Sequence, residues 1–208
     1  GGDPIFNKGA GKNVQTGDVM EADANILVTT SYRPSPALAE KAVRLARKIG
    51  ADYADRGTFS VRKLRARYGP ERPVVVVKEN RLEWHACEGK EPFFFHPGMS
   101  LIRAKRISQG WKDPMLAACG FEKGDRVVDG TAGLAQDSVV FSFAGGPETQ
   151  VTACESEFPL FFVVGEGLRE YRSDWPEFDA AMRRIVMIHS DHTEYLKTLP
   201  DGGADIVY

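Results

Sequence analysis

The sequence is poor in cysteine and has no long apolar run, and each shortage excludes a class of protein. Its three cysteines, Cys87, Cys119 and Cys154, are scattered and form no CxxC pair, which argues against a zinc site and against a disulfide framework. Scattered thiols favour a reducing cytoplasm. No apolar run approaches the ~18–20 residues of a membrane helix, so we expect no membrane association.

The first residues lack the apolar core of a secretory signal. Residues 1–19 are rich in glycine and polar side chains, and Met20 with the residues after it resembles a natural start. We interpret residues 1–19 as an expression leader or a disordered tail and exclude them from fold prediction.

Charge is nearly balanced overall but unevenly distributed along the chain. The net charge is -2, yet residues 41–72 are strongly basic and residues 148–205 strongly acidic. Such separation occurs at polyanion-binding faces and also on solvated helix surfaces. The charge pattern alone favours solvated helix surfaces.

Residues 20–95 read as a small α+β domain. Ser35 is placed to cap a helix that ends at Gly50, and Thr58 or Ser60 to cap a very basic helix that runs to Tyr68. A turn is expected at Glu79-Asn80. The predicted strands are Ile26–Thr30, Pro73–Lys78, Arg81–Cys87 and Glu91–His96.

Residues 96–208 read as a second domain with an α/β pattern. Ser100 is placed to cap a helix, and Asp113–Cys119 forms a short one. Strands and helices then alternate, which predicts a Rossmann-like, doubly wound, mostly parallel sheet. The predicted strands are Arg126–Asp129, Gln150–Glu155, Ile185–His189 and Ala204–Tyr208, and the helices between and before them are Leu134–Ala144, Glu157–Tyr171, Phe178–Arg184 and Thr193–Leu199. A doubly wound sheet normally continues past four strands, so we expect its C-terminal part to be missing.

Polar or small residues follow three of these strands in turn. The loop Asp129-Gly130-Thr131-Ala132-Gly133 lets a backbone approach a ligand closely and leads into a helix N-terminus with free N–H donors. Glu155 ends the second strand, where an acid can accept the hydroxyls of a ribose. Asp191 and His192 follow the third strand, where they could reach an adenine ring or simply cap a helix. Because the loop begins with an acid and lacks the third glycine of a dinucleotide fingerprint, the set favours S-adenosylmethionine.

Five stretches of the sequence, in order, resemble the bacterial RsmJ-type methyltransferases: HPGMSLIRAKRISQG, VVDGTAGLAQDSVVFS, VTACESEFPL, VMIHSDHTEYL and ADIVY. The resemblance implies S-adenosylmethionine as cofactor and a guanine exocyclic amine of small-subunit ribosomal RNA as acceptor. The cofactor contacts that it implies are Gln136, Asp137, Glu155, Ser156, Asp191 and His192.

The sequence departs from this family at four places. Gln136 stands where an arginine is common, Ala135 stands where a glycine is common, and the loop Gly145–Thr149 is slightly longer. The family's acceptor-holding Asp-Pro motif follows the fourth strand, so the catalytic residue is expected just after Tyr208.

Three functions remain open from the sequence. The first is an RNA methyltransferase whose basic side chains hold the phosphates. The second is a methyltransferase of a small molecule or protein, and the third is a non-catalytic module that binds S-adenosylmethionine or another nucleotide. No metal is expected, since the histidines lack a third ligand nearby. The candidate RNA-binding residues are Arg62, Lys63, Arg65, Arg67, Arg103, Lys105 and Arg106.

Overall fold

The computed structural model describes residues 25–86 and 90–208, which form two β-sheets with helices packed around them. The predicted leader and Cys87 lie outside these residues. No helix among the described residues is long and apolar enough to cross a membrane. The strands are β1 (Leu27–Thr30), β2 (Asp52–Tyr53), β3 (Val74–Val77), β4 (Leu82–His85), β5 (Phe93–Phe94), β6 (Arg126–Asp129), β7 (Gln150–Glu155), β8 (Val186–His189) and β9 (Ile206–Val207). The helices are α1 (Pro36–Lys48), α2 (Val61–Tyr68), α3 (Gly98–Ser108), α4 (Pro114–Ala118), α5 (Gln136–Gly145), α6 (Phe158–Glu170), α7 (Pro176–Arg184) and α8 (His192–Leu196).

The first sheet is mixed, with strand order β2-β1-β3-β4-β5. Strand β1 is parallel to both of its neighbours, whereas β3, β4 and β5 are antiparallel in succession. The turn at Glu79-Asn80 is present and is closed by the Lys78 N–H, which donates to the Arg81 carbonyl. Ser35 and Ser60 cap α1 and α2 through their hydroxyl oxygens. Strand β2 was not predicted, because two residues carry too little alternation to be detected.

The second sheet is fully parallel, with strand order β8-β7-β6-β9. Its four strands are those expected from the sequence: β6 and β7 have the predicted bounds, β8 begins one residue later, and β9 is shorter by two residues at its start and one at its end. The chain runs outward from β6 through β7 to β8 and returns to the other side of β6 as β9. In open α/β sheets the crevice at such a reversal is where ligands bind, beyond the carboxyl ends of the strands.

Helix α6 lies between the two sheets. Each sheet places one face in the same buried apolar cluster, Val75 and Val77 from the first, Val127 and Val151 from the second. Helix α6 contacts β4 and β5 on one side and β7 and β8 on the other. It is accordingly buried over most of its circumference.

Ion pairs link the basic and acidic parts of the chain across this interface. Lys41 of α1 bonds to Glu170 at 2.5 Å, and Lys48 bonds to Glu166 at 2.9 Å. Some of the basic and acidic residues that make the sequence asymmetric in charge therefore pair with each other within the fold, between α1 and α6.

The prediction that Ser100 caps α3 was wrong. The helix begins at Gly98 with Pro97 at its N-cap, and the buried Ser100 hydroxyl donates to the Pro97 carbonyl. The Ser100 N–H donates to the Pro97 carbonyl at 2.9 Å and to the side chain of Gln136 at 3.0 Å. Because the helix begins two residues before Ser100, this serine lies within the first turn and not at the cap.

Candidate cofactor site

The loop between β6 and α5 is organised by the Asp129 carboxylate. This group is 2% exposed and accepts hydrogen bonds from the Thr131 N–H at 3.1 Å and the Ser138 hydroxyl at 2.6 Å. Burial raises the pKa of Asp129, against the opposing effect of these two bonds. Asp129 therefore holds the start of the loop and the first turns of α5 together, and its bond from Ser138 was not predicted from the sequence.

The backbone of the loop needs conformations that side chains disfavour. Gly133 has φ +51° and Ala135 has φ +56°, both left-handed. At Gly130 a Cβ atom would lie 3.3 Å from the Cβ of His192 and 3.4 Å from the carbonyl oxygen of Tyr208, so the loop is closely covered there. The left-handed angle explains why glycine suits position 135, where this chain carries alanine.

Glu155 lies beside the glycine loop at the end of β7. One carboxylate oxygen accepts from the Gly133 N–H at 3.0 Å and the other from the Glu157 N–H at 2.8 Å. Because an ionised carboxylate has about four acceptor positions, lone pairs remain for a ligand. Glu155 therefore links the end of β7 to the loop that follows β6.

Two predicted cofactor contacts have side chains occupied by protein partners. The Gln136 amide donates to the His96 carbonyl at 2.9 Å as well as accepting from Ser100, so it fastens α5 to the start of α3. Asp137 accepts from Arg103 at 2.5 Å and from the Tyr208 hydroxyl at 3.3 Å. Tyr208 was not predicted as a site residue; it reaches the loop because β9 lies next to β6.

The third strand end closes the site. Asp191 is the N-cap of α8 and accepts from the Thr193 N–H at 2.8 Å, as the capping interpretation predicted. Glu194 does not complete a capping box, since it pairs with Lys197. His192 is exposed and packs over Gly130, and Ser156 is exposed just after Glu155. The structure thus gathers all three strand ends at one edge.

Two of the seven candidate RNA-binding cations are not available to a phosphate. Arg65 is 8% exposed and its guanidinium donates to the carbonyls of Arg72 and His85. Arg103 forms a two-bond pair with Asp113, at 2.8 Å for each bond, besides its bond to Asp137. These two predictions are corrected to structural roles. The exposed candidates are Arg62, Lys63, Arg67, Lys105 and Arg106.

The site fits a nucleoside cofactor with an amino-acid moiety. The first N–H groups of α5 have no acceptor inside the helix, which suits a carboxylate. Glu155 has acceptor capacity for ribose hydroxyls, and Gly130 permits close approach of the chain. Among the described residues, no group of three or more His, Cys, Asp or Glu is placed to hold a metal ion.

The second sheet is parallel, and its strand ends carry a glycine loop, an acid and a third loop that caps a helix. This combination defines an α/β protein that binds a nucleotide cofactor. Residues 70–208 match the family model described as "Putative SAM-dependent methyltransferase". The chain belongs to this family, and S-adenosylmethionine is its cofactor.

The chain is also similar to individual proteins and to a solved structure. The chain is 37% identical to "Uncharacterized protein YpiP" of Bacillus subtilis over 88% of this chain and 70% of that protein. It is 31% identical to "Ribosomal RNA small subunit methyltransferase J" of Acinetobacter baumannii over 71% of this chain, a match that spans about half, 52%, of that protein. The crystal structure of the SAM-dependent methyltransferase NGO1261 from Neisseria gonorrhoeae superposes with a TM-score of 0.60 at 18% identity, covering 88% of this chain and 68% of that one, which shows a shared fold.

Proposed function

We propose that this chain contains the cofactor-binding part of an RNA methyltransferase that acts on a guanine exocyclic amine of small-subunit ribosomal RNA. The main observation in its support is the contact between Glu155 and the glycine loop, at the point where the strand order of the second sheet reverses. Relatives named as ribosomal RNA small subunit methyltransferases support small-subunit ribosomal RNA as the substrate.

The residues of this chain would position the donor and leave the acceptor side open. S-adenosylmethionine supplies an already activated methyl group on sulfur, so the protein's task is orientation and electrostatics. Glu155 would accept the ribose hydroxyls, and the N-terminus of α5 would bind the carboxylate. Asp191 and His192 would border the base. Each of these groups fixes position, and none needs to change its protonation.

A calorimetric titration tests the cofactor assignment. We expect heat on addition of S-adenosylmethionine and none with NAD. Glu155→Gln should weaken binding about tenfold, because it removes the charge and one acceptor position facing the ribose. Glu177→Gln, at an exposed position of α7, is the matched control and should bind normally. Heat with NAD alone would favour a different nucleotide-binding module.

Exposed cations of α2 support RNA as the substrate class. Arg62, Lys63 and Arg67 lie on the exposed face of the helix, and the Arg67 guanidinium lies 5.6 Å from the ring centroid of Tyr68. Cations interleaved with exposed aromatic rings suit a single-stranded nucleic acid.

The salt dependence of RNA binding tests the assignment of these cations. Replacing all three with glutamine should reduce the slope of log K against log salt by about 2, since each single-strand phosphate contact contributes ~0.7. A control with three exposed cations elsewhere, Arg44, Lys123 and Lys197, should keep the slope. An unchanged slope in the first variant would favour the alternative of a small-molecule or protein acceptor.

A further inference from the structure

A groove of about 310 Å³ lies between α3 and the segment that leads into α4. Its lining includes Met99, Arg106, Trp111 and Lys112, with Arg103 and Asp113 between them. The volume is within the ~300–1,000 Å³ of small-ligand sites. Trp111 lies outside the sequence patterns that predicted the cofactor loop.

Trp111 presents an open indole ring to this groove. It is 68% exposed, whereas Trp84 and Trp175 are each packed against other aromatic rings. The backbone N–H of Trp111 donates to the Arg106 carbonyl at 3.0 Å, which fixes the main chain of this residue in the turn that follows α3. Met99, which lines the same groove, is also exposed, at 61%. Two large exposed apolar side chains in one groove suit a binding site.

The charge of the groove is positive. Arg103, Arg106 and Lys112 face one acid, Asp113, and that acid is neutralised by its two bonds from Arg103. Arg106 and Lys112 line the same groove as the indole and are both exposed. A groove that holds an open aromatic ring and two exposed cations is complementary to a ligand that combines a π-face with negative charge, which describes a nucleotide within RNA.

The groove adjoins the cofactor loop. Arg103 lines it and at the same time bonds to Asp137 in the first turn of α5. A strand bound along the groove would therefore reach the edge of the sheet where the donor binds.

We propose that the Trp111 groove binds one unpaired RNA nucleotide, with its base stacked on the indole and its neighbouring phosphates at Arg106 and Lys112. This inference rests on the proposed function, because it assumes an RNA substrate. The bound nucleotide would anchor a strand whose target base enters the cofactor site separately.

Fluorescence anisotropy with a labelled ten-nucleotide single-stranded RNA, at low salt and with the 208-residue chain, tests the proposal. Trp111→Ala should weaken binding about tenfold, and Trp111→Phe should retain most of the affinity, because stacking needs a ring and not the indole N–H. Tyr32→Ala, which removes an exposed aromatic residue from the bend after β1, is the control and should bind as the unaltered chain does. Binding of inorganic tripolyphosphate should be the same in Trp111→Ala, since it has no base.

Each variant is also titrated with S-adenosylmethionine, which distinguishes a loss of RNA binding from a loss of folding. Retained cofactor affinity in Trp111→Ala shows that the variant is folded, so a loss of RNA binding then supports the groove. Equal RNA affinity in Trp111→Ala and the unaltered chain would overturn the proposal, as would failure of the unaltered chain to bind RNA. Self-association that Trp111→Ala abolishes would instead identify the surface as a contact between copies. Failure of S-adenosylmethionine to bind, with the Trp111 effect intact, would refute the proposed function and leave the groove standing.

Discussion

Replacing Arg103 should show how strongly the fold depends on one guanidinium. The group donates twice to Asp113 and once to Asp137, and its side chain is 21% exposed against 5% for Asp113. Removing one member of a buried pair costs about 3–5 kcal/mol, because a charge is left without its partner. Since Arg103 keeps some exposure, we expect Arg103→Ala to lose about 3 kcal/mol, or roughly 6–12 °C in Tm. Arg103→Lys should lose about half as much, since an ammonium group cannot reproduce the two-bond geometry.

The pH dependence of this loss has a definite sign. Hydrogen bonds from Arg103 lower the pKa of Asp113 below its ordinary value of 3.8. A carboxyl group whose pKa is lowered by folding stabilises the protein above its unfolded pKa, and this contribution disappears as the pH falls through the folded pKa. The difference between the unaltered chain and Arg103→Ala should therefore be full at pH 7 and shrink below about pH 4.

Urea unfolding followed by circular dichroism at both pH values measures the difference. Asp113→Asn and the double variant complete a cycle, in which we expect a coupling free energy of about 2 kcal/mol. Arg44→Ala is the control, because Arg44 is exposed and its pair with the exposed Glu40 is long, at 3.6 Å, so it should lose under ~0.5 kcal/mol. An Arg103→Ala variant as stable as the unaltered chain, or a gap that is independent of pH, would refute the reasoning.

Three further substitutions probe the loop and the interface between the sheets. Asp129→Asn should gain stability relative to the unaltered chain as the pH rises from about 4 to 7. The reason is that burial raises the pKa of Asp129 and so disfavours its charged form in the fold. A urea midpoint of the variant that falls relative to the unaltered chain over this range would contradict the prediction. Ala135→Val should lower the free energy of unfolding by about 1–2 kcal/mol, since a β-branched residue is forced to φ +56°, while Ala135→Gly should be tolerated; thermal unfolding compares the two. Gly167→Ala should cost about 1–3 kcal/mol or more, because the new Cβ would lie 2.3 Å from the Cβ of Phe95. An unchanged Tm would show that α6 and Phe95, the residue after β5, are not packed this closely.

The second sheet was predictable because its signals are local. Each strand is a short apolar run followed by small or polar residues, and right-handed crossovers then require neighbouring parallel strands. Glu155 could be placed beside the glycine loop by the same reasoning, since the carboxyl ends of parallel strands meet at one edge. The structure shows them joined by the bond from Gly133.

The errors occurred where distant parts of the chain decide the local outcome. Arg65 was expected on the surface of a basic helix, but the carbonyl of His85, 20 positions later, accepts from it. Arg103 was expected to face phosphates, but Asp137 lies 34 positions further along the chain. Charge and helical spacing are the same whether or not such a partner exists, so the sequence pattern could not distinguish a paired cation from an exposed one.

The position of α6 between two sheets constrains how the molecule can be divided. Phe158 of this helix packs edge-on against Trp84 of the first sheet, with ring centroids 6.4 Å apart, and Glu166 receives Lys48. A fragment that began at residue 96 would keep the cofactor loop but leave this apolar ring and this acid uncovered. Such a fragment should be prone to self-association, and tags or fusion partners inserted at residue 95 would separate two surfaces that fold against each other. Helix α6 covers both sheets, so the two parts of the chain should be expressed together.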